Sequence, residues 1–458
     1  MTQHRRHRGL GAAGAITLAT AAVLGQGAGT AAQDADGFDP MAHSGETITF
    51  LANQHPWTAG MTPLLEQFTA ETGINVDVQE FSEDLYFDRM EQTVRAAEGT
   101  ADVYFLPMDS TAYTQFTADA VEPLTPYLED PTKTSPDYDF ADFPAGFLGG
   151  VTYPPGDPAA QVYGIPIAFE AYILFYNKDL VDQYLDGAVP TTFDELIAAA
   201  QEVSAEGAAD GVVGAVMRGI RSDTIMDTLS GIVLNAFGGR DAPTPYNIWF
   251  DGDWSKPRLT DPDVCQGLAD FASLLATGPA NKFAIDWPDA NALFQQGKAA
   301  FFIDASLFGP GYEDPEQSVI PGRVGYMALP PRAADGNSYT GHWLWGLGIP
   351  KNAANKDAAW YFIQWMTNKA NTAAIGAATG GAPRLSAYAD PTYTDSLVPE
   401  YVAAVNDAMS DSRTTVVLRE GWREGALAIV DGMLAIANGE DPTTACAAAN
   451  EALAAAVA

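Results

Sequence analysis

Cysteine, histidine and lysine are scarce in this chain of 458 residues, which has two, five and eight of them respectively. Beyond the N-terminal leader only His43, His55 and His342 remain. With Cys265 and Cys446 they are too few for a zinc or iron site of ordinary ligand type, and no metal or other cofactor is expected. Basic charge is equally short, 23 Lys and Arg against 59 Asp and Glu for a net charge of −36. Phosphate backbones need a concentrated basic face, so nucleic acid is excluded as a partner. His-Glu-x-x-His and Gly-x-Ser-x-Gly are both absent, and Gly297-Lys298 is followed by Ala299 where a phosphate loop needs Ser or Thr. With this many acids, some pair of carboxylates must exist, which makes it an unspecific sign of a glycosidase. The composition gives no catalytic residue, and the chain is expected not to be an enzyme.

The N-terminus is of a different character. Arg5, Arg6 and Arg8 precede an apolar run from Leu10 to Leu24, and Gly29-Thr30-Ala31-Ala32 offers small residues for cleavage. This pattern predicts an export signal over residues 1–32, with the Sec and twin-arginine routes both open. After it no apolar run reaches the roughly 18 residues of a spanning helix. No cysteine stands near the cleavage region to take a lipid. The mature protein is therefore expected outside the cytoplasmic membrane, without a lipid anchor and with a solvated acidic surface.

The remaining length calls for at least two domains. Glu46–Leu51 alternates as a strand, Thr62–Thr72 carries apolar residues at helical spacing, Ile74–Val78 is a second strand and Ala101–Leu106 a third. The logic repeats after Tyr163, with strand Ala171–Tyr176, helix Phe193–Glu206 and strand Val212–Met217. Phe301–Asp304 is a further strand, and Val324–Leu329 is expected to cross back. Alternating strands and helices predict an α/β protein with mostly parallel sheets. Ligands in such sheets bind at the carboxyl ends of strands, which selects Asn53–Trp57 and Met108–Ser110.

The run Tyr163–Leu180 (YGIPIAFEAYILFYNKDL) places one carboxylate, Glu170, inside a buried-strand pattern. With FTAETGINVDVQ (68–79), PTTFDELIAAA (190–200), FQQGKAAFFID (294–304) and GHWLWGLGIPKNAANKDAAWYFIQWMTN (341–368), it resembles the family 1 extracellular solute-binding proteins, the maltose-binding-like receptors of ABC importers. The resemblance covers nearly the whole mature chain. It implies the type II periplasmic-binding-protein fold, two lobes joined by a multi-strand hinge. Residues 46–168 with 326–352 are expected in the N-terminal lobe, and 172–322 with 357–458 in the C-terminal lobe. Both cysteines then fall in one lobe, and an oxidising compartment favours a Cys265–Cys446 disulfide.

The implied function is capture of a sugar or sugar alcohol by hinge closure and its delivery to an ABC permease, by a chain most simply monomeric. Sugars and polyols are held by aromatic faces and by planar amides, carboxylates and Arg. The candidates of that composition are Asn53, Gln54, His55, Trp57, Asp109, Glu170, Asp304, Trp343 and Arg384. Where the malto-oligosaccharide receptors carry a tryptophan shortly after the Asp304 position, this chain reads Ala305-Ser306-Leu307-Phe308, which points to a small, hydroxyl-rich ligand. A metal, anion or vitamin on the same fold, and a secreted carbohydrate-active enzyme, are the alternatives.

Overall fold

A computed structural model describes residues 37–458, apart from 109, 237–247, 252–254, 335, 411 and 415–416. The leader and Trp254 lie outside the described residues. The chain opens on β1 (Thr47–Asn53), which pairs in parallel with β2 (Asn75–Phe81) and β3 (Val103–Pro107). A minor hairpin joins β4 (Thr152–Tyr153) to β5 (Gln161–Val162). Then come the long β6 (Ile165–Asn177), β7 (Val213–Val216), β8 (Ala299–Ala305), β9 (Val324–Met327), β10 (Thr340–Gly348) and β11 (Ser412–Thr414). One continuous sheet runs in the order β2-β1-β3-β10-β6-β8-β7, with β11 beside β10 and β9 beside β6. Its pairing is mixed. β7 and β8 are parallel, whereas β6 is antiparallel to β8, β9 and β10, and β10 to β3.

The connecting helices start where the sequence supplies caps. Thr192 and Glu195 close a reciprocal capping box at helix Phe193–Glu206, which satisfies backbone donors the first turn leaves open. Asn177 caps Lys178–Leu185, and Asp286 caps Trp287–Gln295. Helices Ile225–Ala236, Pro262–Ala276 and Trp422–Ala437 pack around the second half of the sheet. Gly432 lets helix Pro442–Ala456 approach closely, since a Cβ there would sit 2.6 Å from that of Ala449. Cys265 and Cys446 join these helices through a disulfide.

Two expectations on segment boundaries are corrected. Helix Lys356–Met366 begins the stretch assigned to the second lobe from residue 357, yet it packs on the first half of the sheet. Phe362 meets Phe50 and Phe68, each with ring centroids 5.4 Å apart. Lys356 pairs with Glu122 at 2.8 Å, and Asp357 with Lys133 at 2.6 Å. Trp360, Tyr361 and Phe362 of this helix are all buried in the first core. Tyr326 and Met327, expected beyond the return crossing, pair with Phe175 and Leu174 in the second half of β6. The chain crosses back only between β9 and β10.

Among the described residues no helix is long and apolar enough to cross a membrane.

Candidate ligand-binding site at the strand crossing

β6 changes partners in mid-strand. Its first part, Ile165–Ala171, lies against β10, and from Tyr172 onward it lies against β8. β3 ends at Pro107, which faces Trp345, and Trp345 faces Ala168. β8 ends at Ala305, opposite Tyr172. The carboxyl ends of strands from both halves thus arrive at β6 within the window 168–172, the topological position at which open α/β sheets bind ligands. Side chains two apart share a face of the strand, so Glu170 and Tyr172 stand in this window on one side. Trp343, directly opposite Glu170, joins them.

Glu170 is buried, 8% exposed, among apolar neighbours. A carboxylate there is costly unless it is partnered, and its neighbour is His55, whose Nε2 lies 3.5 Å from Oε1. His55 caps helix Pro56–Met61, its Nδ1 accepting from the Trp57 N–H at 3.1 Å. An accepting Nδ1 puts the proton of the neutral ring on Nε2, the atom that faces Glu170. The cap thereby fixes the imidazole as a donor toward the carboxylate. Asn53, at the end of β1, is 1% exposed, and its Oδ1 has no hydrogen-bond partner among the described residues. Gln54 is exposed, its backbone N–H bonded to the Phe81 carbonyl. Trp343 is half-buried, its ring 5.8 Å from that of the buried Trp345 at 75°.

From the second half come residues the sequence reading did not single out. Arg218 follows β7 and is gripped by Asp304 through Nε–Oδ2 at 2.8 Å and Nη2–Oδ1 at 2.5 Å. Burial opposes the guanidinium charge, but the Asp304 carboxylate overrides it and holds Arg218 well above its ordinary pKa. Asp227 lies 3.9 Å from Nη1, and the guanidinium stands 5.8 Å from the Tyr172 ring centre. Burial, with Asp227 beside it, keeps the Tyr172 phenol protonated far above its usual range. Trp287 stacks on Phe308 with centroids 5.6 Å apart and planes at 18°, and Phe308 in turn lies parallel to Phe302. Because the Ile285 carbonyl accepts from the N–H groups of Gly219 and Ile220, the half-buried Trp287 is held beside the segment that follows Arg218. An aromatic stack therefore begins at the start of helix Trp287–Gln295.

Three candidates have other work. Trp57 is 3% exposed and packs edge-on against Phe50 and Phe105, so it belongs to the first core. Asp304 is fully buried and spends both oxygens on Arg218, with Oδ1 also accepting from the Ala305 N–H. It positions Arg218. Arg384 is fully buried too, donating to the carbonyls of Thr367, Asp139 and Tyr138 and lying 4.1 Å from the Phe143 ring centre. It holds the 138–143 loop. Asp109 lies outside the described residues. Arg218 could have been found from sequence, since it too follows the carboxyl end of a strand. Among the described residues no group of three His, Cys, Asp or Glu side chains is placed to hold a metal ion.

The family model for bacterial extracellular solute-binding proteins matches residues 52–373, a family of binding proteins. The erythritol/L-threitol-binding protein of Mycolicibacterium smegmatis is 28% identical over 372 residues, 79% of this chain and 76% of that protein. The mannitol-binding protein of Pseudomonas aeruginosa is 30% identical over 213 residues, 46% of each chain. An ABC transporter solute-binding protein from Agrobacterium vitis, solved with bound D-mannitol, superposes with a TM-score of 0.69 at 24% identity, covering 89% of this chain and 97% of that one. The fold is accordingly the two-lobed type II α/β architecture.

Proposed function

Because the chain belongs to the bacterial extracellular solute-binding protein family, we propose that it captures a sugar alcohol or small sugar outside the cytoplasmic membrane and hands it to the permease subunits of an ABC importer. The observation that carries this reading is the cluster at the partner change of β6, where the Nε2–H of His55 faces Glu170 and Trp343 stands opposite Glu170 across the strands. A carboxylate accepts paired hydroxyl hydrogen bonds while an indole face covers the C–H surface of the carbon chain. The names of the relatives, which bind erythritol, L-threitol and mannitol, support a polyol over a long glucan.

In this reading the protein is a monomer that closes about β6 and β10, because the ligand binds the closed form better than the open one. It is exported by its leader without a lipid anchor, needs no cofactor and carries out no hydrolysis. Calorimetric titration of the mature chain with erythritol, ribitol, mannitol, maltose and a set of amino acids tests it. Binding of one alditol or small sugar, weakened at least ~10-fold in Glu170→Gln, is the expected result. Binding of an amino acid alone would discard the ligand class.

A further inference from the structure

The backbone and the side chain of β6 are held separately around Glu170. The Phe169 N–H, one residue before it, donates to the Gly381 carbonyl at 2.7 Å, in a contact so close that a Cβ on Gly381 would sit 2.0 Å from the Phe169 oxygen. With the strand fixed, the freedom left to the carboxylate lies in its own side-chain torsions, and it faces His55, whose Nε2 lies 3.5 Å from Oε1. The imidazole is itself locked. Its Nδ1 accepts from the Trp57 N–H at 3.1 Å, and its ring centre lies 5.8 Å from that of Phe105 and 6.1 Å from that of Trp345, the residue paired with Ala168 on β6. The turn that carries it is braced at both ends, the Gln54 N–H donating to the Phe81 carbonyl at 2.7 Å and the Thr58 hydroxyl to the Asn53 carbonyl at 2.7 Å. One ring nitrogen of His55 is thus committed to the helix start, and the other is turned to Glu170.

Resting on the solute-capture reading above, we infer that His55 is a positioning residue for Glu170: it sets the carboxylate in the orientation that receives the solute's hydroxyl groups and does not itself hold the solute. A glutamate side chain loses rotamer freedom when a ligand fixes it. A donor already set against Oε1 takes up that loss before the solute arrives and leaves Oε2 to accept from hydroxyl groups. The two tasks of the ring are separable by substitution. Asn places its amide where Nδ1 stands and is among the best residues at a helix N-cap, so it keeps an acceptor for the Trp57 N–H, but it is too short to reach Glu170. Gln places its amide where Nε2 stands and still offers Glu170 an N–H, but it is not a preferred cap.

The test is calorimetric titration with whichever of erythritol, ribitol, mannitol and maltose binds, beside urea unfolding, on the mature chain, His55→Asn, His55→Gln, and His55→Asn combined with Glu170→Ala. His55→Asn is expected to weaken the solute ~10-fold, the scale of one charge-assisted hydrogen bond, with its unfolding midpoint kept. His55→Gln is expected to recover affinity to within about threefold of the unaltered protein, with a midpoint that falls because the cap is lost. A merely structural role would put the two variants in the same order in both measurements, affinity following stability, and that outcome overturns the inference. Beside Glu170→Ala, His55→Asn should change affinity less than about twofold, since no carboxylate remains to be oriented. A loss that persists there in full means that His55 touches the solute itself, which also overturns the inference. If Glu170→Ala binds too weakly to titrate, or one His55 variant does not fold, the remaining comparison decides: unaltered affinity in His55→Asn, or a tenfold loss in His55→Gln, is fatal to it. Absence of binding by all four solutes in the unaltered protein sinks the capture reading and the role of His55 with it, whereas binding that His55→Asn leaves untouched removes only the role of His55.

Discussion

Glu170 and Trp343 stand directly opposite each other on the antiparallel strands β6 and β10. Cross-strand partners have Cβ atoms about 5 Å apart on the same face, so a charged acceptor and an aromatic plane rise together at the one place where β6 changes partners. One small molecule can meet both.

Trp343→Ala is therefore expected to weaken alditol binding by roughly 1–2 kcal/mol, the scale of a lost aromatic contact, and Trp343→Phe by less. Trp287→Ala, at the end of the Trp287–Phe308 stack, should cost a similar amount if the ligand spans both halves. Calorimetric titration reads both. Unchanged affinity in the two alanine variants would place the ligand elsewhere.

Asp304→Asn leaves the Arg218 charge buried with half its grip gone. Breaking one side of a buried pair costs about 3–5 kcal/mol, so urea unfolding should shift far toward lower midpoint. Replacing both residues by apolar ones, Arg218→Met with Asp304→Leu, should restore much of the loss. Additive losses in that cycle would mean the two side chains do not interact.

His342 gives a stability effect with a defined sign. Its ring is fully buried, edge-on to the stacked Phe147 and Phe169, with Nδ1 bonded to Ser412 Oγ at 2.8 Å. Burial, and then Arg413, push its pKa from 6.5 down to about 3. The unfolded chain takes up this proton below its ordinary value whereas the native state refuses it, so the contribution is whole above 6.5 and is lost as pH falls toward about 3. The slope is at most ~1.4 kcal/mol per pH unit. His342→Asn should unfold with a flatter pH dependence between neutrality and pH 5, before most carboxylates titrate. Parallel curves for the two proteins would refute the assignment.

Cys265→Ser with Cys446→Ser should lower stability by about 2–4 kcal/mol, the usual worth of a closed covalent loop, and leave alditol affinity within a factor of a few. The bridge ties helix Pro262–Ala276 to helix Pro442–Ala456, away from the strand crossing. Thiol labelling of the denatured but unreduced protein should find no free sulfhydryl.

Glu170 was legible from sequence because it is a lone carboxylate in an apolar run, although the strand expected there, Ala171–Tyr176, is only the second part of β6. Asp304 ends an equally apolar strand and has the same demand, yet the partner that meets it, Arg218, lies 86 residues away and is supplied by the fold. Arg384 and Trp57 failed for a related reason. Chemistry suited to binding a sugar is equally suited to bracing a loop or filling a core, and only burial separates these uses. Trp287 was hidden because its stacking partner is remote in sequence. Helix Lys356–Met366 was misassigned because an amphipathic pattern states that one face will be buried, not against which half of the sheet.

In the reading proposed above, β6 is at once the sensing element and the axle. Glu170, the proposed contact to the solute, sits on the strand that pairs with both halves of the sheet, so that reading needs no separate relay between occupancy and movement. A pull on Glu170 would then be felt by the backbone about which the halves are proposed to turn. Substitutions along 168–172 should then never alter grip alone: affinity, closing rate and recognition of the closed form by a permease would shift as a set, and selection for a new solute would have to retune all three together.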